Sequence, residues 1–197
     1  MAKSIALEGI DGSGKSTLAA LLKDYLDAQN HSVLMLREPG GSAYYEAIRS
    51  HIHFSDLERS ALSDMLTCAG GIAENIRQTK ETLNTNTWVI SDRCYISNVV
   101  YQIAQGLDSE LTNTINQVAL QGFDYDIKIL IDVPLEVAEK RLVSIGKKQD
   151  RWESMGELYF EKVQSLYHEI AQREEFAVLD GTQPLEDLLE QIIKRIE

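Results

Sequence analysis

The chain has 197 residues, 44% of them hydrophobic, which suffices for one well-filled core and leaves too little chain for two independent domains. Its formal net charge of −12 speaks against gripping DNA or RNA by their phosphates, since no basic stripe offsets the acidic field. Two cysteines without C-x-x-C spacing, Cys68 and Cys94, encode neither a disulfide framework nor a zinc site, and two buried reduced thiols are expected.

The chain runs from Met1 straight into a predicted strand, without a basic-then-apolar leader, and no apolar run approaches the ~20 residues that span a bilayer. A cytoplasmic, single-domain protein over 1–197 is therefore expected, with no membrane contact. The first predicted strand, 5–10, leads into GIDGSGKST at 9–17. This is the G-x-x-x-x-G-K-S phosphate loop in the strand-loop-helix setting it needs. Gly9, Gly12 and Gly14 let backbone N–H groups of the loop, with Asp11 and Ser13 between them, curl around phosphate oxygens. Lys15 adds a mobile charge, and Ser16 and Thr17 begin a helix whose positive end faces the same anion. The Ser16 hydroxyl suits a magnesium ion.

Leu18, Leu21, Leu22, Tyr25 and Leu26 continue that helix as one apolar stripe. A second strand at 33–36 ends in Arg37-Glu38-Pro39-Gly40-Gly41, a charged pair entering a tight glycine turn. His51 and His53 lack a third metal ligand nearby and read as a polar loop end. Leu62, Met65, Leu66, Ala69, Ile72, Ala73 and Ile76 predict a long helix that carries Gly70-Gly71. Two glycines there cost about 1 kcal/mol each relative to alanine, so the pair marks a kink or the close approach of something bulky. A third strand at 88–91 runs into Asp92-Arg93, an acidic ligand for magnesium or its water beside a forked phosphate grip. Leu111, Ile115 and Val118 predict a helix, 127–133 a strand, and 137–142 another helix. The polar, basic stretch at 144–151 reads either as a solvated loop or as a lid bringing cations over a nucleotide, the second being favoured because positive charge is scarce here. A helix at 158–170, a strand at 176–179 and a helix from Leu185 to Ile193 close the chain. Alternating strands and helices imply parallel pairing and a layered α/β domain, with ligands beyond the carboxyl ends of the strands.

The succession LEGIDGSGKST, REPGGS, SDRCYISNVVYQ, ILIDVPLEVAEKR, QDRWE and VLDGTQPLEDLLEQI resembles the thymidylate kinase family, in order and spacing, from Ser4 to the C-terminus. The resemblance implies a P-loop three-layer αβα sandwich with a five-stranded parallel sheet in order 2-3-1-4-5. It implies transfer of the ATP γ-phosphoryl group to a deoxypyrimidine monophosphate, dTMP foremost, with magnesium, and a homodimer. ATP would then lie on 9–17, with Arg141 and Gly181 on the same side. Asp11, Arg37 and Glu38 would face the acceptor or the metal-bridged phosphates, Arg93 its phosphate, and Ser97, Asn98 and Tyr101 its nucleoside. Arg151, in a lid at 144–153, would counter charge on the transferring group, since Gly12 stands where some members carry an arginine.

Two departures from the family pattern bear on the base. Family members carry a phenylalanine that stacks on thymine and, four residues on, an arginine that bonds its carbonyl; here Thr67 and Gly71 stand in those places. This implies either compensation by neighbours such as Asn75 or Arg77, or a pocket enlarged or re-specified for dUMP, a C5-modified dUMP or another deoxynucleotide. The lid carries Lys147 and Lys148 where arginines are common, and lysine lacks the bidentate fork. A deoxynucleoside kinase and a nucleotide-binding module without turnover are the remaining alternatives.

Overall fold

A computed structural model describes residues 1–54, 57–146 and 155–196. Five strands form one parallel sheet in the order β2-β3-β1-β4-β5, as the resemblance implied: β1 Ser4–Glu8, β2 Val33–Arg37, β3 Trp88–Asp92, β4 Ile127–Asp132 and β5 Ala177–Asp180. The helices between them are α1 Lys15–Ala28, α2 Ala43–Phe54, α3 Ala61–Leu83, α4 Tyr95–Ala104, α5 Ser109–Leu120, α6 Leu135–Ser144, α7 Glu157–Arg173 and α8 Leu185–Ile196.

Strand residues point alternately to the two faces, so a sheet covered on both sides needs apolar residues at successive positions. Ile5, Leu7, Ile129 and Ile131 meet Leu18, Leu22, Leu188 and Ile192 of α1 and α8 on one face. Ala6 and Leu130 meet the other layer, which holds Ile72, Val99, Val163 and Tyr167 from α3, α4 and α7. Among the described residues, no helix is long and apolar enough to cross a membrane.

Three expectations change. The first strand stops at Glu8 rather than at residue 10, because Gly9 turns the chain at φ +145°. Helices α2 and α4 are additions to the predicted elements, although Tyr45, Ile48 and Ile52 in α2 and Tyr95, Ile96, Val99, Val100 and Ile103 in α4 recur at helical spacing. His51 and His53 lie in the last turn of α2 rather than at a loop end.

Candidate active site

The loop between β1 and α1 presents the first helical N–H groups and the positive end of α1 to one concavity. Lys15 is buried, and its Nζ donates to the Ile10 carbonyl at 3.2 Å and to Asp11 Oδ1 at 3.5 Å. Burial, and next the charge of Arg93, push the Lys15 pKa down, while Asp11, Asp92 and Glu8 pull it up. Ser16 Oγ donates to Asp92 Oδ2 at 2.5 Å, and Asp92 Oδ1 is buried without a protein partner. Arg141 of α6 braces the loop from outside, donating to the Ser13 carbonyl at 3.2 Å and to the Gly181 carbonyl at 2.9 Å.

Arg93 follows β3 directly and sits at φ +71°, a backbone region that a residue with a side chain adopts only when its surroundings enforce it. Those surroundings are visible. Its Nη1 donates to the Gly9 carbonyl at 2.9 Å, Ser97 Oγ at 3.0 Å and the Tyr167 hydroxyl at 3.1 Å, and Nη2 pairs with Asp11. Burial opposes the Arg93 charge, but Tyr101, Asp11, Tyr167 and Glu8 outweigh it and hold the guanidinium firmly protonated. Glu8, fully buried at the end of β1, organises this corner. It accepts from Cys94 N at 2.8 Å, Ser97 N at 3.0 Å, Ser97 Oγ at 2.8 Å and Tyr167 OH at 3.0 Å. A carboxylate thus takes the free N–H groups at the start of α4, where Cys94 supplies no side-chain cap.

Beyond Arg93 opens a cavity lined by Asp11, Glu38, Pro39, Arg93, Ser97, Tyr101 and Phe160 and also by Tyr45, Ile52, His53, Cys68, Asn98 and Gln102. Glu38 is buried; burial, and next the Glu8 carboxylate, raise its pKa from 4.5 to about 8, against a weak bond from Asn75. A carboxyl raised on folding binds its proton more tightly in the native state, so its stabilising effect is complete below about pH 4.5 and is lost as pH rises towards 8. Glu38→Gln is expected to flatten that decline, which at about 1.36 kcal/mol per unit amounts to at most ~5 kcal/mol. Urea melts at pH 5 and pH 8 check this: wild type and variant losing equal stability between them would refute the protonated Glu38.

Ser97, Asn98, Tyr101, Asp11, Glu38 and Arg93 are therefore brought together around one cavity, and Lys15, Ser16 and Asp92 around the phosphate loop beside it. Arg37 is not among the cavity's lining residues: its side chain is half exposed and pairs with Glu46 at 2.7 Å and 2.8 Å, and Glu46 in turn accepts from Gly41 N. It braces the glycine turn instead of lining the cavity. Thr67 and Gly71 do not line it either. The Thr67 hydroxyl is spent on the Ser63 carbonyl at 2.8 Å, and Gly71 is covered by the ring of Tyr45. Neither neighbour compensates, because Asn75 ties Gly40 to Ser42 and Arg77 pairs with Glu74 and Glu81 in solvent. Arg151, Lys147 and Lys148 lie outside the described residues.

Four residues escaped the sequence reading: Glu8, Tyr45, Arg49 and Tyr167. A charge ending a buried strand was the available signal for Glu8. Arg49, half-buried on α2, donates to the Pro39 carbonyl and feels the charges of Asp92 and Arg93. Only tertiary packing brings Tyr45, Arg49 and Tyr167 to the site.

The family model described as thymidylate kinase matches residues 7–192. Curated relatives named thymidylate kinase include those of Thermosipho melanesiensis, 37% identical over 98% of this chain and 96% of theirs, and Thermosipho africanus, 34% identical with the same coverage. One from Finegoldia magna is 36% identical over 96% of this chain and 95% of its own.

Proposed function

The chain belongs to the thymidylate kinase family, and from that premise we propose how it acts: it transfers the γ-phosphoryl group of ATP to the phosphate of dTMP, giving dTDP and ADP. One observation carries the residue assignments. Lys15 of the donor loop and Arg93 of the acceptor cavity converge on the same carboxylate, Asp11. Two cations held that close can attract two polyanions and align them for in-line transfer.

ATP lies with its phosphates on the amides of Gly9 through Thr17 and on Lys15, with Arg141 and Gly181 flanking the same loop. The dTMP phosphate competes with Asp11 for Arg93 Nη2, and Asp11 is freed towards Lys15. An acceptor oxygen then attacks the γ-phosphorus while the bond to the β–γ bridging oxygen breaks and ADP leaves. An ionised phosphate is already a nucleophile at neutral pH, so no protein base is required. Ser97 and Tyr101 flank the sugar.

Magnesium fits the residues present. Ser16 and Asp92 offer hard oxygen donors, and the buried, unpartnered Oδ1 of Asp92 is poorly accommodated without a cation or its water. Two protein oxygens suffice, since substrate phosphates and water complete its shell. When bound, the ion neutralises charge on the β and γ phosphates.

An acceptor panel of dTMP, dUMP, dCMP and thymidine with ATP, run with and without EDTA, tests this. Preferential turnover of dTMP, abolished by EDTA and restored by magnesium, is the expected result. Turnover of thymidine in place of dTMP would overturn it. We also propose that it acts as a cytoplasmic homodimer, with exposed Leu62 and Leu66 of α3 and Leu111 and Val118 of α5 as candidate contact residues. Sedimentation as a 22.2 kDa species at assay concentration would rule the dimer out.

A further inference from the structure

We propose that Tyr45, seated on the Cα of Gly71, is the residue that sets the size and chemistry of the base seat and so determines acceptor specificity. This rests on the family reading, which puts a nucleoside monophosphate in the cavity. Charge fixes the orientation of such a ligand: its phosphate belongs at Arg93, which leaves the base to the remaining lining, Tyr45, Ile52, His53, Cys68, Asn98 and Gln102. These side chains include no carboxylate, lysine or arginine, so the base is read by shape and by hydrogen bonding.

Tyr45 is 1% exposed, comes from α2, and its hydroxyl lies beside the Cys68 thiol. Its ring lies where a side chain at position 71 would go: a Cβ on Gly71 would stand 2.2 Å from Tyr45 Cδ2 and 2.3 Å from Cγ. The missing side chain therefore leaves no void. A neutral ring from α2 fills the space that a long side chain from α3 would otherwise enter, and the two positions have exchanged volume. Among the groups that can bond the base, Asn98 Oδ1 is buried without a protein partner. The space is thus refilled from α2 and not enlarged by the missing side chain.

The test compares kcat/KM for dTMP, for 5-propynyl-dUMP and for dGMP. In Tyr45→Ala, the ratio of a larger-based acceptor to dTMP is expected to rise at least tenfold, with the ATP KM within twofold of wild type. Gly71→Ala drives the ring into the seat, so the dTMP KM is expected to rise at least tenfold, and Tyr45→Ala/Gly71→Ala should return to the values of Tyr45→Ala alone. Ratios within threefold of wild type for both larger acceptors in Tyr45→Ala, or a double variant no better than Gly71→Ala, would overturn the proposal. Should wild type turn over no acceptor, the proposed function fails by itself. Equilibrium binding of the same three nucleotides then decides the Tyr45 assignment by the same ratios.

Discussion

Arg93→Ala is expected to lower kcat/KM for dTMP by about 10³-fold while the ATP KM changes little. Removing one member of a buried charge pair costs roughly 2–5 kcal/mol at a recognition site, and each ~1.4 kcal/mol is tenfold. Arg93 also neutralises Asp11 and approaches Glu8 at 3.9 Å, so its loss leaves two carboxylates facing each other and destabilises the fold as well. Arg93→Lys separates these effects. Lysine keeps the charge that balances Asp11 but cannot serve Gly9, Ser97 and Asp11 at once, as the fork does. Its thermal midpoint should stay near that of wild type while kcat/KM for dTMP still falls at least 30-fold. A lysine variant within threefold of wild-type activity would show that charge alone, and not the fork, serves the acceptor.

The second large effect is structural. Gly12 has φ +82°, and a Cβ there would lie 2.5 Å from the Ala138 carbonyl oxygen, backbone against backbone. Gly12→Ala therefore combines left-handed strain of about 1–2 kcal/mol with overpacking of about 1–3 kcal/mol, because α6 cannot swing aside like a side chain. For a chain of this size the expected fall in midpoint is about 6–15 °C. The loop amides move with Gly12, so the ATP KM should rise at least tenfold while the dTMP KM changes less. A differential scan and initial rates at saturating dTMP measure both. Unchanged values of midpoint and ATP KM would mean that the loop and α6 relax apart at no cost. This contact also explains why no side chain stands at position 12: the start of α6 has taken the space.

Much of the architecture was legible because it is local. Short Ile, Val and Leu runs between amphipathic segments announce a parallel sheet covered on both faces, and all five strands stand where those runs are. The phosphate loop was legible for the same reason: its glycines, Lys15 and Ser16 act within one turn of each other. α4 is a weaker signal because it is only 10 residues long, at the short limit for a helix, although Tyr95, Ile96, Val99, Val100 and Ile103 recur at helical spacing. The bracing role of Arg37 was not legible, because a charge beside a glycine turn does not say which partner it meets, and Glu46 is supplied by α2.

The sequence by itself determined the order of the elements, the donor loop and the charged strand ends, since each depends on residues adjacent in the chain. Only the tertiary structure decided how the acceptor seat is walled. Tyr45 and Gly71 lie 26 positions apart on different helices, and a glycine records the absence of a side chain without saying what has filled the space. Packing at interior density leaves few voids of that size, so the residue lost from α3 had to be answered by one from α2, and chain order alone does not say which.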